Sequence, residues 1–409
     1  MANLLGFTSI ALVSLLTYFL TIRHPDIRNI LFVALILRIL FLLVDHYIFP
    51  LPGSTADAES FEGFAWHLSR DGFFNLINNF SGPDPYFISY FIAVPYSLFG
   101  QSVLMAQSIS LFFGIGSIFL VWLLAKKLWN DRIANTVGWV ATLFPTLVLF
   151  SVIVLREIYV CFFLLLALHG VVGWIKTDKL NFIILASLGF TGATFFHGGM
   201  LVGLIVFLII VSLSYFKKLF KLLFYFRTKI KFVIFLSFFF VISEFFLSNK
   251  IHVPYLGSFE KATNLEFLLI KTSQSTAGEA SWPKWTVIKS PTEFFYKGPI
   301  RSIYLIFSPF PWDISKVGHF MGLLDSSLYL FLFYLIICNR KMILNDTALT
   351  VTFLILAGYF FVFGIGVDSF GSGIRHRTKF TILLIVLAAP LIPKIILWKN
   401  NKLGDGTLK

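Results

Sequence analysis

Residues 28–62 read Arg28-Asn-Ile-Leu-Phe-Val-Ala-Leu-Ile-Leu-Arg38-Ile-Leu-Phe-Leu-Leu-Val-Asp45-His-Tyr-Ile-Phe-Pro50-Leu-Pro-Gly-Ser54-Thr-Ala-Asp57-Ala-Glu59-Ser-Phe-Glu62. The first part is apolar over about 20 residues, the length a helix needs to cross the hydrocarbon core of a bilayer. Just beyond it, Asp57, Glu59 and Glu62 put three carboxylates within six residues. Acids at a membrane boundary point to proton transfer or cation binding at the surface. A second apolar run, Leu4 to Ile22, lies on the other side of the basic turn Arg23-His-Pro-Asp-Ile-Arg28. It has no basic leader and no small-residue cleavage site, so it reads as a retained span and not a signal peptide.

Composition extends this reading to the whole chain. Of 409 residues, 57% are hydrophobic and 13% charged, about half the charge of a soluble domain. The mean hydropathy is +0.85. A net charge of +13 raises the question of nucleic acid, but the basic residues cluster in short loops between apolar runs. That is the positive-inside pattern of a polytopic membrane protein. The 51 Phe match a coding bias and carry little information one by one. Cys161 and Cys338 both lie in apolar runs and read as small buried hydrophobes, without a disulfide framework or a CxxC metal pattern.

Spans are expected near 3–22, 29–50, 104–125, 134–155, 158–175, 181–196, 199–216, 232–248, 318–338, 347–367 and 379–397. The predicted fold class is therefore an all-α polytopic membrane protein of about eleven transmembrane helices, a single domain over 1–409. Basic loops fall at Arg23–Arg28, Lys126–Arg132, Lys176–Lys179, Lys217–Lys231, Arg340–Lys341 and Lys399–Lys409. Placing them in the cytoplasm puts the N-terminus outside and the C-terminus inside. Lys217–Lys231, with six basic residues and no acid, anchors that orientation and suits an anionic leaflet. Outside then lie 51–103, the Arg156-Glu157 junction, the His197-Gly-Gly turn, 249–317 and the loop Val367–Thr378. Tyr86–Gly100 is too short and too rich in Pro and Tyr for a span, and reads as an interfacial or re-entrant helix. Ile303–Trp312 reads the same way.

Apolar residues at 58, 61, 64, 65 and 68 predict a helix after Ser54 or Thr55 as N-cap. Asp57 then sits in the first turn, where the helix dipole favours its ionised form as general base or cation ligand. Glu59 is its companion, although Glu59 and Glu62 equally suit a wet helix face. Arg156-Glu157 joins two spans; Arg156 is suited to hold a phosphate and Glu157 to orient it, and an interfacial ion pair is the plainer alternative. Gly371-Ser-Gly-Ile-Arg375-His376-Arg377-Thr-Lys379 sets four potentially cationic groups on the outside, against the charge pattern. An arginine fork matches phosphate geometry and glycines let the backbone approach it. His197 reads as a polar turn residue or a catalyst. Arg38 and Asp45, seven residues apart, share a helix face as a functional pair or an ion-pair lock. There is no HExxH, GxSxG or Walker loop.

The order of these motifs resembles the integral-membrane glycosyltransferases of the GT-C fold. The pattern runs through Asp57-Ala-Glu59, Ala65-Trp-His-Leu68, Pro95-Tyr-Ser-Leu-Phe-Gly100, the span ending Leu-Ala-Lys-Lys-Leu-Trp129, Leu-Phe-Pro145 and Arg156-Glu157, over roughly residues 30–200. Pro309-Phe-Pro-Trp312 and Arg375-His-Arg377 resemble elements of bacterial surface-polysaccharide proteins, including O-antigen-polymerase-like ones. The chain departs from the simplest pattern in its extra N-terminal span and in Ala58 standing between the two acids.

The resemblance implies transfer of a sugar or oligosaccharide repeat from a polyprenyl-phosphate or polyprenyl-diphosphate donor. The reaction would run on the periplasmic or external face of a bacterial inner membrane, without nucleotide-sugar. It assigns Asp57 as general base or, with a divalent cation, metal-contacting acid. It gives Arg375 and Arg377, with Arg156, to the donor phosphate; by their own chemistry and position His376 joins that group, and Glu157, His197 and Lys379 go to substrate. A transporter or flippase of lipid-linked glycans is the competing expectation, and it calls for charges along a path through the spans. A non-catalytic scaffold leaves the acidic and basic groupings unexplained.

Overall fold

The computed structural model describes residues 1–221, residue 237, 280–315 and 319–392. The expected span 232–248, most of Lys217–Lys231, residues 249–279 and the tail from 393 lie outside these residues. Among the described residues the chain is helical, with no strand beyond one antiparallel bridge between Ser281 and Ser369. Six helices are long and apolar enough to cross a membrane: Ala2–Arg23, Pro25–Tyr47, Val103–Leu128, Glu157–Thr177, Gly198–Phe216 and Thr347–Gly366. That is the make-up of a multi-pass membrane protein.

Helices α1 (Ala2–Arg23) and α2 (Arg28–Tyr47) are joined by a tight turn that Pro25 starts. Three shorter helices follow, α3 (Asp57–Ser69), α4 (Phe73–Asn78) and α5 (Phe87–Phe99). Helix α3 corresponds to the helix expected after Ser54, α5 to the short helix over Tyr86–Gly100, and α4 lies between them without a counterpart in the sequence pattern. Helix α6 (Val103–Leu128) starts at Ser102, whose hydroxyl accepts from the Met105 N–H.

The expected span 134–155 is not one helix. It consists of α7 (Asp131–Leu143), α8 (Pro145–Phe150) and an irregular buried stretch, 151–155. Pro145 is the cause: a residue before proline is driven out of the helical region, and Phe144 has ψ 118°. The Thr142 carbonyl accepts from the buried Arg38 guanidinium at 3.2 Å. Arg38 therefore caps a broken helix and does not pair with Asp45.

Next come α9 (Glu157–Thr177), α10 (Leu180–Phe196) and α11 (Leu201–Lys221). Helices α9 and α10 cross closely because Gly170 faces the Ala186 backbone and Gly189 faces that of Ala167, with no room for a Cβ. The last group is α12 (Glu293–Phe307), α13 (His319–Cys338), α14 (Arg340–Asn345), α15 (Thr347–Gly366) and α16 (Phe370–Ala388). Ile303–Phe307 is the last turn of α12 and not a separate interfacial segment. Arg301, also on α12 and 1% exposed, donates to the carbonyls of Thr286, Gly364, Ile365 and Val367. It thereby satisfies the C-terminal carbonyls of α15.

Helix α16 is the central post, buried without interruption from Arg377 to Ala388. It begins at Phe370, capped by Ser369, so the expected loop Val367–Thr378 is mostly helix. At one end of the bundle the basic loops gather. Lys126 pairs with Asp26 at 3.7 Å and Asp131 at 2.6 Å, and Lys176 Nζ bonds the Lys127 carbonyl. Asn339 and Trp129 reach the Leu387 and Val386 carbonyls of α16 at 3.1 and 3.0 Å. The opposite end carries Asp57, Glu157 and Arg375.

Candidate functional site

Residues from α3, α9 and α16 meet at that opposite end. Arg375 is the junction. Its Nη1 lies 2.5 Å from Asp57 Oδ2, and its Nε donates to Glu157 Oε1 at 3.3 Å. Lys379 Nζ lies 3.9 Å from the same Glu157 oxygen. These two cations share a side of α16 because residues four apart stand about 40° apart on a helix. Lys379 Nζ also donates to His376 Nδ1 at 2.7 Å and stands 5.2 Å over the Phe363 ring. The His376 ring meets the His197 ring edge-on at 5.1 Å. His197 receives the Gly199 N–H and packs on Phe363. Six of the expected residues, Asp57, Glu157, His197, Arg375, His376 and Lys379, on three helices and one turn, thus form a continuous cluster.

Arg156 flanks it. Its Nη1 donates to the Pro85 carbonyl at 3.3 Å, and its guanidinium lies 4.9 Å from the Phe61 ring centre. This ties the loop before α5 to the start of α9. Next to Pro85, burial pushes the Asp84 carboxyl above its ordinary range, and the Tyr86 N–H at 2.7 Å pulls it back.

Two expected members stand elsewhere. Glu59 is exposed on α3, outside the cluster. Arg377 sits about 200° round α16 from Arg375 and is fully buried on the other side. Its Nε and Nη2 both bond Asp325 Oδ2, at 2.9 and 2.5 Å, and its Nη1 bonds the Ile306 and Ser308 carbonyls. An arginine so occupied ties α12, α13 and α16 together and is not placed with the phosphate cluster. The missed partner, Asp325, had a visible signal: it is an acid inside an apolar run.

The approach to Asp57 also differs from expectation. Neither Ser54 nor Thr55 caps α3; the N-cap is Ala56, with φ 58° and ψ −101°. Ser54 instead donates to Asp45, whose other oxygen accepts the Leu51 N–H, while Gln107 bonds Asp45 at 2.6 Å. Asp45 is thus the anchor of the loop that delivers Asp57. Glu62 accepts from Tyr96 and Gln101 and locks α3 to α5. Cys161 is buried and its Sγ lies 3.5 Å from the Lys379 carbonyl, whereas Cys338 is exposed on the surface of the fold.

No family model, curated protein or solved structure matches this chain. Its chemistry is therefore read from its own residues. Among the described residues no group of three or more His, Cys, Asp or Glu converges as a metal site. Asp57, the expected metal contact, has Arg375 as its partner. What the cluster offers is a guanidinium between two carboxylates, with a buried ammonium and two imidazoles behind it. That set has the chemistry to hold an oxyanion, through Arg375 and Lys379, and to accept a hydrogen bond from a hydroxyl, through a carboxylate.

Proposed function

We propose that the chain is a membrane glycosyltransferase acting on a lipid-linked donor. It transfers a sugar or an oligosaccharide repeat from a polyprenyl phosphate or diphosphate to an acceptor hydroxyl at the bilayer surface. The supporting observation is Arg375, which joins Asp57 and Glu157 at the end opposite the basic loops. A phosphate arriving there meets Arg375 and Lys379, with Arg156 at the flank, and the acceptor meets the carboxylates. The finer reading has about eleven spans arranged as in the GT-C fold. The site end then faces the periplasm or exterior of a bacterial inner membrane, because cytoplasmic loops carry the excess of Lys and Arg. The donor brings its own leaving group, so nucleotide-sugar is not required. Repeat polymerisation in surface-polysaccharide synthesis is the preferred setting.

The competing reading is a flippase for lipid-linked glycans, and the buried Arg377–Asp325 pair is the observation that favours it. Every nitrogen of that guanidinium already has a protein partner, which suits a lock better than a conduction path.

The test uses the full chain in proteoliposomes with polyprenyl-monophosphate and polyprenyl-diphosphate glycans extracted from producing cells. Labelled sugar should move to an acceptor. Arg375→Ala should weaken donor binding about 10- to 100-fold, the worth of one lost charge-assisted contact. Unchanged donor affinity in that variant removes the phosphate assignment, and glycan translocation without transfer supports the flippase.

A further inference from the structure

The cluster contains two carboxylates, and they are not equivalent. Asp57 is on the rim, its side chain 56% exposed and its Oδ2 held by Arg375. Glu157 opens α9 and is 1% exposed. Arg375 and Lys379 both address its Oε1, while its Oε2 has no hydrogen-bond partner among the described residues. A carboxylate has room for about four donors, and buried acceptors are nearly always satisfied. A buried oxygen left open beside two cations is therefore a place where something else donates.

We propose that Glu157, through Oε2, takes the proton from the acceptor hydroxyl. This rests on the glycosyltransferase reading and deepens it: it separates the group that does acid–base chemistry from the group that receives the donor. Arg375 holds Glu157 by Nε and Asp57 by Nη1. A donor phosphate that displaces Asp57 from Nη1 lands next to Glu157 on the same planar guanidinium, so the sugar's anomeric carbon and the acceptor oxygen come within one site. The step balances. The hydroxyl proton goes to Oε2, the oxygen pair forms the new bond to the anomeric carbon, and the bond from that carbon to the phosphate oxygen breaks. Its electron pair leaves on the phosphate, beside Arg375. No oxidant, reductant or further co-reactant enters.

The surroundings hold Glu157 in place for this. Lys379 stands behind Oε1, and its ammonium is fixed by His376 and Phe363. One turn along α9, Cys161 contacts the Thr378 and Lys379 carbonyls, which sets the register of α9 against α16. Asp57 instead opens α3 on the rim, more than half exposed, directly after Ala56.

The experiment is turnover and donor binding of the full chain in proteoliposomes, with the same extracted lipid-linked glycans. Glu157→Gln should bind donor within about threefold of wild type and lose roughly 10²- to 10⁴-fold in kcat, the range for removing a general base. It should also lose the acid limb of the kcat–pH profile. Asp57→Asn should keep that limb while its donor KM changes. Glu157→Gln with kcat within fivefold of wild type, or with the acid limb intact, overturns the proposal. If Glu157→Gln does not fold, Glu157→Asp decides: it should keep the limb and lose kcat, and a wild-type kcat there overturns the proposal. A wild-type chain that transfers no lipid-linked sugar fails the transferase reading itself, which is a separate outcome.

Discussion

Arg375 and Arg377 stand two residues apart on one helix, and opposite consequences are expected from losing them. Arg377 is 0% exposed, and two of its nitrogens share Asp325 Oδ2. Asp325→Ala leaves the guanidinium buried with only the Ile306 and Ser308 carbonyls and the Ser326 hydroxyl as partners. Stranding one member of a buried pair costs about 3–5 kcal/mol. Arg377→Met strands the buried Asp325 carboxylate and takes the donor from the Ile306 carbonyl, the latter at about 1–3 kcal/mol, while the Ser308 carbonyl keeps the Ser326 hydroxyl. The double variant Asp325→Ala/Arg377→Met no longer carries an unpaired charge. It should be more stable than the sum of the singles by about 2 kcal/mol, within the range seen for contacting residues. The assay is equilibrium unfolding in mixed micelles titrated with sodium dodecyl sulfate, run as a double-mutant cycle. Additive costs, or an Asp325→Ala variant within about 1 kcal/mol of wild type, refute the claim that Arg377 is a structural tie. Arg375→Ala should cost only about 1–3 kcal/mol, because Lys379 remains beside Glu157. Donor binding should fall for Arg375→Ala and hold for folded Arg377→Met.

Ala56 occupies a positive-φ conformation that glycine adopts freely. Ala56→Gly should raise stability by up to about 1 kcal/mol, relief of strain being partly offset by the entropy of the unfolded chain; a lower melting temperature contradicts the backbone reading. Arg301→Met frees three carbonyls at the end of α15 and that of Thr286, and should destabilise by at least about 3 kcal/mol in the same micelle titration, with a near-neutral result excluding the capping role. Asp57→Asn breaks a pair whose acid is more than half exposed, so it should cost about 1 kcal/mol or less and the cost should shrink in high salt. A large, salt-independent loss of stability shows instead that Asp57 is structural.

Much of this architecture was legible from residue patterns, and the exceptions share a cause. Helix α3 was expected from the spacing of 58, 61, 64, 65 and 68, and it forms from Asp57 to Ser69. Basic loops were expected together, and Asp26, Lys126, Lys127 and Lys176 do meet. The failures concern where polar side chains find partners. Arg38 and Asp45 share a face in α2, yet each bonds a different neighbour, one the end of α7 and the other the loop before α3. Hydropathy and spacing along one helix cannot name the helix that packs against it.

The same limit explains the split within Arg375-His-Arg377-Thr-Lys379. Read as a loop, these cations form one patch; wound into α16, they sort by phase. Positions 375, 376 and 379 keep to the side where α9 and the His197 turn bring Glu157 and imidazole. Position 377 goes to the side where α12 and α13 bring carbonyls and Asp325. Winding also needs α9 to begin inside the protein, and Pro145 supplies that by ending α7 early and leaving 151–155 irregular and buried. Non-helical backbone at membrane depth survives only where protein surrounds it. Glu157 thus stands at a helix start that the bundle encloses, beside a guanidinium that still reaches the rim. A buried carboxylate and an exposed one joined by a single arginine are the arrangement in which one end can meet a lipid-borne phosphate at the rim while the other stays dry.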